Sequence, residues 1–184
     1  MFGKIFGYSA IFALTVSQIV SAETMLIDDF SNNPHSRWQY VSDQVMGGVS
    51  NGAVEYKNQD DLFYATLVGE VSTENNGGFI QIRTEVDKFQ VAEAKAVHIR
   101  ARGNNQRYFI HLRTTGTLLP WQYYQASFEV AEQWQDFKLP LDQFSRSGNW
   151  LSRSIQPQTI RSIGIVAYGR DHRAEIEIAQ IGFH

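Results

Sequence analysis

Apolar and polar residues alternate with a period of two through most of this chain, and no helical period of comparable length competes with it. Val97, Ile99 and Ala101 alternate with His98, Arg100 and Arg102, and Tyr108, Ile110 and Leu112 alternate with Phe109, His111 and Arg113. Such runs are strands that bury one face. Tyr124, Ala126, Phe128 and Val130 repeat the pattern against Tyr123, Gln125, Ser127 and Glu129, as do Ile176 and Ile178 against Glu175 and Glu177. Further strands are predicted over 25–30, 38–41, 53–56, 62–71, 79–84, 134–139 and 163–167, separated by Gly, Asn, Asp and Pro clusters. About ten short strands predict an all-β fold, an antiparallel β-sandwich. Short helical turns are expected at 141–144, after Pro140, and around Pro157 at 157–160.

The first 22 residues read as a secretory signal peptide: Lys4, an apolar stretch from Ile5 to Val20, then the small residues Ser21 and Ala22 at a cleavage point. A retained single-span anchor is the rival reading, but a span needs about 20 predominantly apolar residues, and Gly7, Ser9, Thr15, Ser17 and Gln18 interrupt this stretch. The absence of Arg argues against a mitochondrial transit peptide. The expectation is a secreted or periplasmic protein with one domain over 23–184 and no stable membrane insertion after cleavage.

Cleavage removes one of the 16 basic residues and none of the 19 acidic ones, so the formal charge moves from −3 to −4. Mild acidity with interspersed charges does not suit a nucleic-acid binder, and Arg100, Arg102, Arg107 and Arg113 read as a solvated strand face. With no Cys, an exported chain relies on packing and hydrogen bonds rather than disulfides. Thiol catalysis and cysteine zinc sites are excluded with them.

Several chemical motifs dissolve on inspection. Gly48-Val49-Ser50-Asn51-Gly52 spells the nucleophile elbow of serine hydrolases, which needs a strand before the serine and a helix after it. Here a strand-like run follows instead, so Ser50 reads as a turn hydroxyl and no catalytic residue is assigned. The five histidines have no metal-type spacing. His98 and His111 read as solvent-facing residues on the polar sides of neighbouring strands. The pairs Asp28-Asp29 and Asp60-Asp61 read as turn acids rather than part of a calcium site. Nothing calls for a cofactor or a metal.

Two loops are less ordinary. Ser42-Asp43-Gln44-Val45-Met46-Gly47-Gly48-Val49-Ser50 and Thr73-Glu74-Asn75-Asn76-Gly77-Gly78-Phe79 each set polar side chains before a glycine pair. Adjacent glycines permit positive φ and close backbone approach. Asp43 and Asn75 either hydrogen-bond nearby amides and fix the turns, or belong to an outward rim. That candidate rim comprises Asp43, Gln44, Met46, Gly47, Gly48, Ser50, Glu74, Asn75, Asn76, Gly77, Gly78 and Arg83. A second candidate surface is an aromatic platform of Trp121, Tyr123 and Trp150, whose rings suit stacking on sugars or protein.

Together with Trp38, Arg83, Arg102-Gly103, Arg107-Tyr108, Trp134, Leu139-Pro140, Phe144 and Ile163-Gly164, these loops resemble the complex I intermediate-associated protein 30 family. The resemblance spans essentially the whole chain after the leader. It implies a galactose-binding-like jelly-roll sandwich and a non-catalytic role, since mitochondrial relatives act as assembly factors for respiratory complex I. The apolar leader departs from that setting, and so does Gly103-Asn104-Asn105-Gln106-Arg107, where the family carries an acidic glycine turn. The expected function is an exported protein-assembly or chaperone-like factor, not an enzyme, with a protein partner. A carbohydrate-binding module is the alternative.

Overall fold

The computed structural model describes residues 25–184, so the leader and its cleavage point lie outside the described residues. Twelve strands follow in order: β1 (Met25–Asp28), β2 (Gln39–Ser42), β3 (Asn51–Gln59), β4 (Leu62–Val71), β5 (Phe79–Glu85), β6 (Ala96–Gly103), β7 (Arg107–Thr114), β8 (Tyr124–Glu129), β9 (Gln135–Pro140), β10 (Ser145–Arg146), β11 (Ile160–Tyr168) and β12 (His172–Phe183). Helical structure among the described residues is limited to 3-10 turns. Two of these, Leu141–Gln143 and Pro157–Thr159, lie where the prolines placed them.

The strands form two antiparallel sheets. One has the order β3-β4-β12-β6-β9, with β1 pairing the C-terminal end of β12; the other has the order β10-β8-β7-β11-β5-β2. The alternation in the sequence is the reason they pack face to face. Tyr108, Ile110 and Leu112 of β7, Ile163 and Ile165 of β11, and Ile80 and Ile82 of β5 point inward, meeting Leu67, Ile99, Ile176 and Phe183 of the other sheet in one core. Tyr108 joins the layers: its buried hydroxyl donates to Asn104 Oδ1 at 2.7 Å and accepts from the Glu175 amide at 2.8 Å. Burial pushes that hydroxyl up to about 12.

Two sequence expectations change here. His98 lies on β6 and His111 on β7, which belong to different sheets, so the two rings are not neighbours. The two strands are consecutive in sequence, but the chain crosses the sandwich between them. The arginines are likewise scattered: Arg102 pairs with Glu177 beneath Trp134, Arg107 pairs with Glu129, and Arg113 lies on the other sheet's outer face.

Candidate functional site

Asp43 is fully buried, and it ties the two glycine loops together. Its Oδ1 accepts the Ser50 amide at 3.0 Å; its Oδ2 accepts the Ser50 hydroxyl at 2.5 Å and the amides of Gly78 and Phe79 at 2.5 and 3.2 Å. Burial alone would raise this carboxyl. The bonds from Ser50, Gly78 and Phe79 outweigh it and hold the group below its ordinary value. In each loop one glycine supplies a backbone conformation, Gly47 at φ +90° and Gly78 at φ +126°, and the other makes room. A Cβ on Gly48 would stand 2.4 Å from Asp43 Cγ, and one on Gly77 would stand 2.4 Å from Asp43 Oδ2.

Ser50 completes the lock, because its hydroxyl also accepts the Ser72 amide at 2.9 Å. Asp43 and Ser50 therefore do not belong to an outward rim; four polar bonds pull the carboxylate inward. The second loop is fastened further by Thr73, whose amide and hydroxyl both donate to Asp171 Oδ1 at 2.7 Å. Asp28 is a second buried carboxylate used the same way, taking Arg37, the Trp38 indole and the Phe30 amide.

The lock matters for what it positions. Asp43 opens the 3-10 turn Asp43–Met46, closed by the Gly47 and Gly48 amides, and this turn lifts Val45 and Met46 into solvent at 74% and 56% exposure. They form one wall of a groove of about 550 Å³ over the outer face of the second sheet. The opposite wall is Pro120 and Trp121, on a segment that also exposes Leu118 and Leu119. That wall is held by Arg113, which donates to the carbonyls of Thr117 and Leu119, and by Gln122 Oε1, which accepts the Leu118 and Leu119 amides.

Strand register makes the groove floor. Outward residues Phe79, Gln81 and Arg83 of β5 lie beside Tyr168, Val166 and Gly164 of β11, and Gly164 in turn pairs with His111 of β7. Tyr123 stacks on His111 with ring centroids 4.0 Å apart and planes 9° from parallel, while Tyr168 meets His111 edge-on at 5.7 Å. The imidazole is thus covered rather than solvent-facing, and burial lowers it to about 4, so it is neutral near pH 7. Burial first, and then Tyr168, push the Tyr123 phenol upward.

Of the residues singled out from sequence, the groove gathers Met46, Asn76, Gly77, Arg83, Trp121 and Tyr123. Gln44 instead donates to the Ser50 carbonyl at 2.9 Å, and Glu74 and Asn75 are exposed without lining the groove. Trp150 is 92% exposed and does not line the groove, although its segment is bonded to Trp121 and Tyr123 through Ser147. Sequence reasoning missed Tyr168, Gln81, Val45 and the position of His111. The parity of β5 and β7 was the available signal, since Phe79, Gln81 and Arg83 share one face.

The chemistry within reach is recognition. Ser50, the one residue that fitted a nucleophile motif, spends its hydroxyl on Asp43 and the backbone. Among the described residues, no group of three or more His, Asp or Glu side chains is placed to hold a metal ion, and no helix is long and apolar enough to cross a membrane.

Comparison with solved structures finds the same sandwich elsewhere. The family 11 carbohydrate-binding module of the cellulosomal cellulase Lic26A-Cel5E of Clostridium thermocellum superposes with a TM-score of 0.71 at 12% identity, covering 89% of this chain and 95% of the module. A family 11 module from Clostridium thermocellum in complex with a β-1,3-1,4-mixed-linked tetrasaccharide gives 0.70 at 13% identity, with 89% and 96% covered. An exo-β-agarase gives 0.57 at 9% identity over 88% of this chain but only 25% of the agarase. At these identities the likeness establishes the fold. Sequence comparison with curated proteins gives no significant match. The family model for complex I intermediate-associated protein 30 matches residues 28–178, which include both glycine loops and every strand that floors the groove, and the chain therefore belongs to that family.

Proposed function

We propose that this chain is an exported, non-catalytic assembly or chaperone-like factor that holds a protein partner in the groove of its second sheet. Its family and the modules that share its fold are of non-catalytic kinds. The observation that carries the reading is the composition of the groove. Val45, Met46 and Trp121 are exposed apolar side chains on opposite walls, and Arg83, Arg113 and Tyr123 lie between them. Aromatic residues, Met and Arg are the types enriched where proteins meet, and exposed apolar patches of this kind mark interaction sites. The apolar leader supports export.

A photo-crosslinking amino acid at Trp121 or Met46 tests this in the intact exporting cell. A discrete protein adduct is expected from both positions and none from Lys57, which is exposed on the opposite sheet. Equal labelling from Lys57, or no adduct from either wall, counts against it.

One observation favours a second reading, carbohydrate binding. Trp121, Tyr123, Tyr168 and Phe79 converge on one trough, and a module of the same fold has been solved with a tetrasaccharide. Calorimetric titration with that mixed-linked tetrasaccharide, checked against a Tyr123→Ala variant, separates the two readings.

A further inference from the structure

Two depressions adjoin on the outer face of the second sheet, and their chemistries differ. The aromatic groove runs into a second hollow of about 630 Å³, which shares Arg83, Arg113 and Ser162 with it and adds Arg37 and Arg161. Arg37 already holds the buried Asp28. Arg83, Arg113 and Arg161 have no carboxylate within ion-pair distance among the described residues. Glu85 is the single carboxylate on the lining, and it forms no ion pair.

The strand between Arg83 and Arg113 contributes little side chain of its own, although Gln81 Oε1 reaches over Gly164. On β11, Gly164 pairs with Arg83 and Ser162 with Arg113, so the intervening outward side chains are a hydrogen and a hydroxymethyl. Burial, and then the charge of Arg83, weaken the hold of Arg113 on its proton. Guanidinium groups that crowd each other in excess of the one carboxylate beside them, Glu85, favour a bound anion, and their planar forks match a carboxylate.

Resting on the protein-partner reading above, we infer that the groove receives an extended acidic segment of that partner, its apolar residues in the aromatic trough and its carboxylates on Arg83 and Arg161. The dimensions agree. Phe79 to Glu85 spans the two depressions along β5, about 20 Å at the rise of a strand, which is roughly six residues of extended peptide. An acidic sugar would satisfy the arginines equally, but the walls oppose it: Val45, Met46 and Pro120 offer hydroxyl groups no side-chain hydrogen-bond partner and would desolvate them.

Fluorescence polarisation of the full mature chain with labelled octapeptides provides the test. One peptide carries three apolar residues followed by three acidic ones, and a second carries the corresponding amides. Hexagalacturonate and the mixed-linked glucan tetrasaccharide compete as unlabelled probes. The acidic peptide is expected to bind at least tenfold tighter than the amide one, to lose that advantage in Arg83→Gln and in Arg161→Gln, and to weaken with added salt. Lys138→Gln on the other sheet is expected to change nothing, and thermal melts verify that each variant folds. Equal binding of the two peptides overturns the inference and leaves the protein-partner reading standing. No peptide binding, or preference for hexagalacturonate or the glucan, overturns both.

Discussion

Replacing Asp43 by Asn keeps the size of the side chain and removes its charge, and the structure sets what must follow. Oδ2 takes three hydrogen bonds and Oδ1 takes one from the Ser50 amide. The least harmful orientation of the amide keeps its oxygen at the Oδ2 position. Its NH2 then faces the Ser50 N–H, two donors with no acceptor between them. Hydrogen bonds to a charged group contribute about 1.5–3 kcal/mol net, and a buried donor left unpaired costs about 1–3 kcal/mol. Because these effects are not additive, we expect Asp43→Asn to lose about 3–4 kcal/mol in urea unfolding at pH 7. For a chain of this size that lowers Tm by roughly 6–16 °C.

The pH dependence is a second arm of the same test. The folded carboxyl is held below its ordinary value, so its stabilisation is complete above the unfolded carboxylate pKa of about 3.9 and is lost as pH falls through the folded value. The gap between wild type and Asp43→Asn should narrow on acidification below about pH 4. A loss under about 1 kcal/mol at pH 7, or a gap that stays constant on acidification, would refute the lock.

Gly48→Ala and Gly77→Ala should each destabilise more than Gly47→Ala, because their added Cβ would stand 2.4 Å from Asp43 atoms whereas nothing lies within 4 Å at Gly47. The left-handed Gly47 substitution should cost only about 1–2 kcal/mol of backbone strain, and thermal melts give the order. His111, lowered to about 4 when folded, takes up its proton first in the unfolded chain. Stability should therefore fall as pH drops from about 6.5 toward 4, by at most about 3 kcal/mol before its partial exposure is discounted. In unfolding titrations His111→Gln should shrink that slope to the part supplied by His172, which burial also lowers, and an unchanged slope would assign it to other groups. Trp121→Ala should shift stability by no more than about 0.5 kcal/mol, since the ring is 63% exposed. Binding of the partner should weaken at least tenfold, as loss of an interface tryptophan does, and a large drop in Tm with intact binding would reverse its assignment.

The strands were legible because burial of one sheet face writes itself into neighbouring residues: 62–71 matches β4 in full, and most other boundaries move by one to three residues. Pairing was not legible, as His98 and His111 illustrate, because which sheet a strand joins depends on contacts far along the chain. The direction in which Asp43 faces was equally hidden. A carboxylate before two glycines suits an inward lock or an outward rim, and only the approach of Gly78 and Phe79, 35 and 36 residues away, decides between them. The groove itself is assembled from β2, β5, β7, β11 and three loops, so Tyr168 had no local reason to be grouped with Trp121 and Tyr123.

Amide chemical-shift mapping by NMR, with the acidic octapeptide and then the glucan tetrasaccharide added to the mature chain, tests most directly whether the second sheet's outer face is where this molecule binds. The account predicts perturbations centred on Phe79, Arg83, His111, Arg113, Tyr123, Gly164 and Tyr168, with Glu55, His98 and Glu177 of the opposite sheet unmoved. Shifts confined to the opposite sheet or to the exposed Glu74 and Asn75, with the groove silent toward both probes, would contradict it.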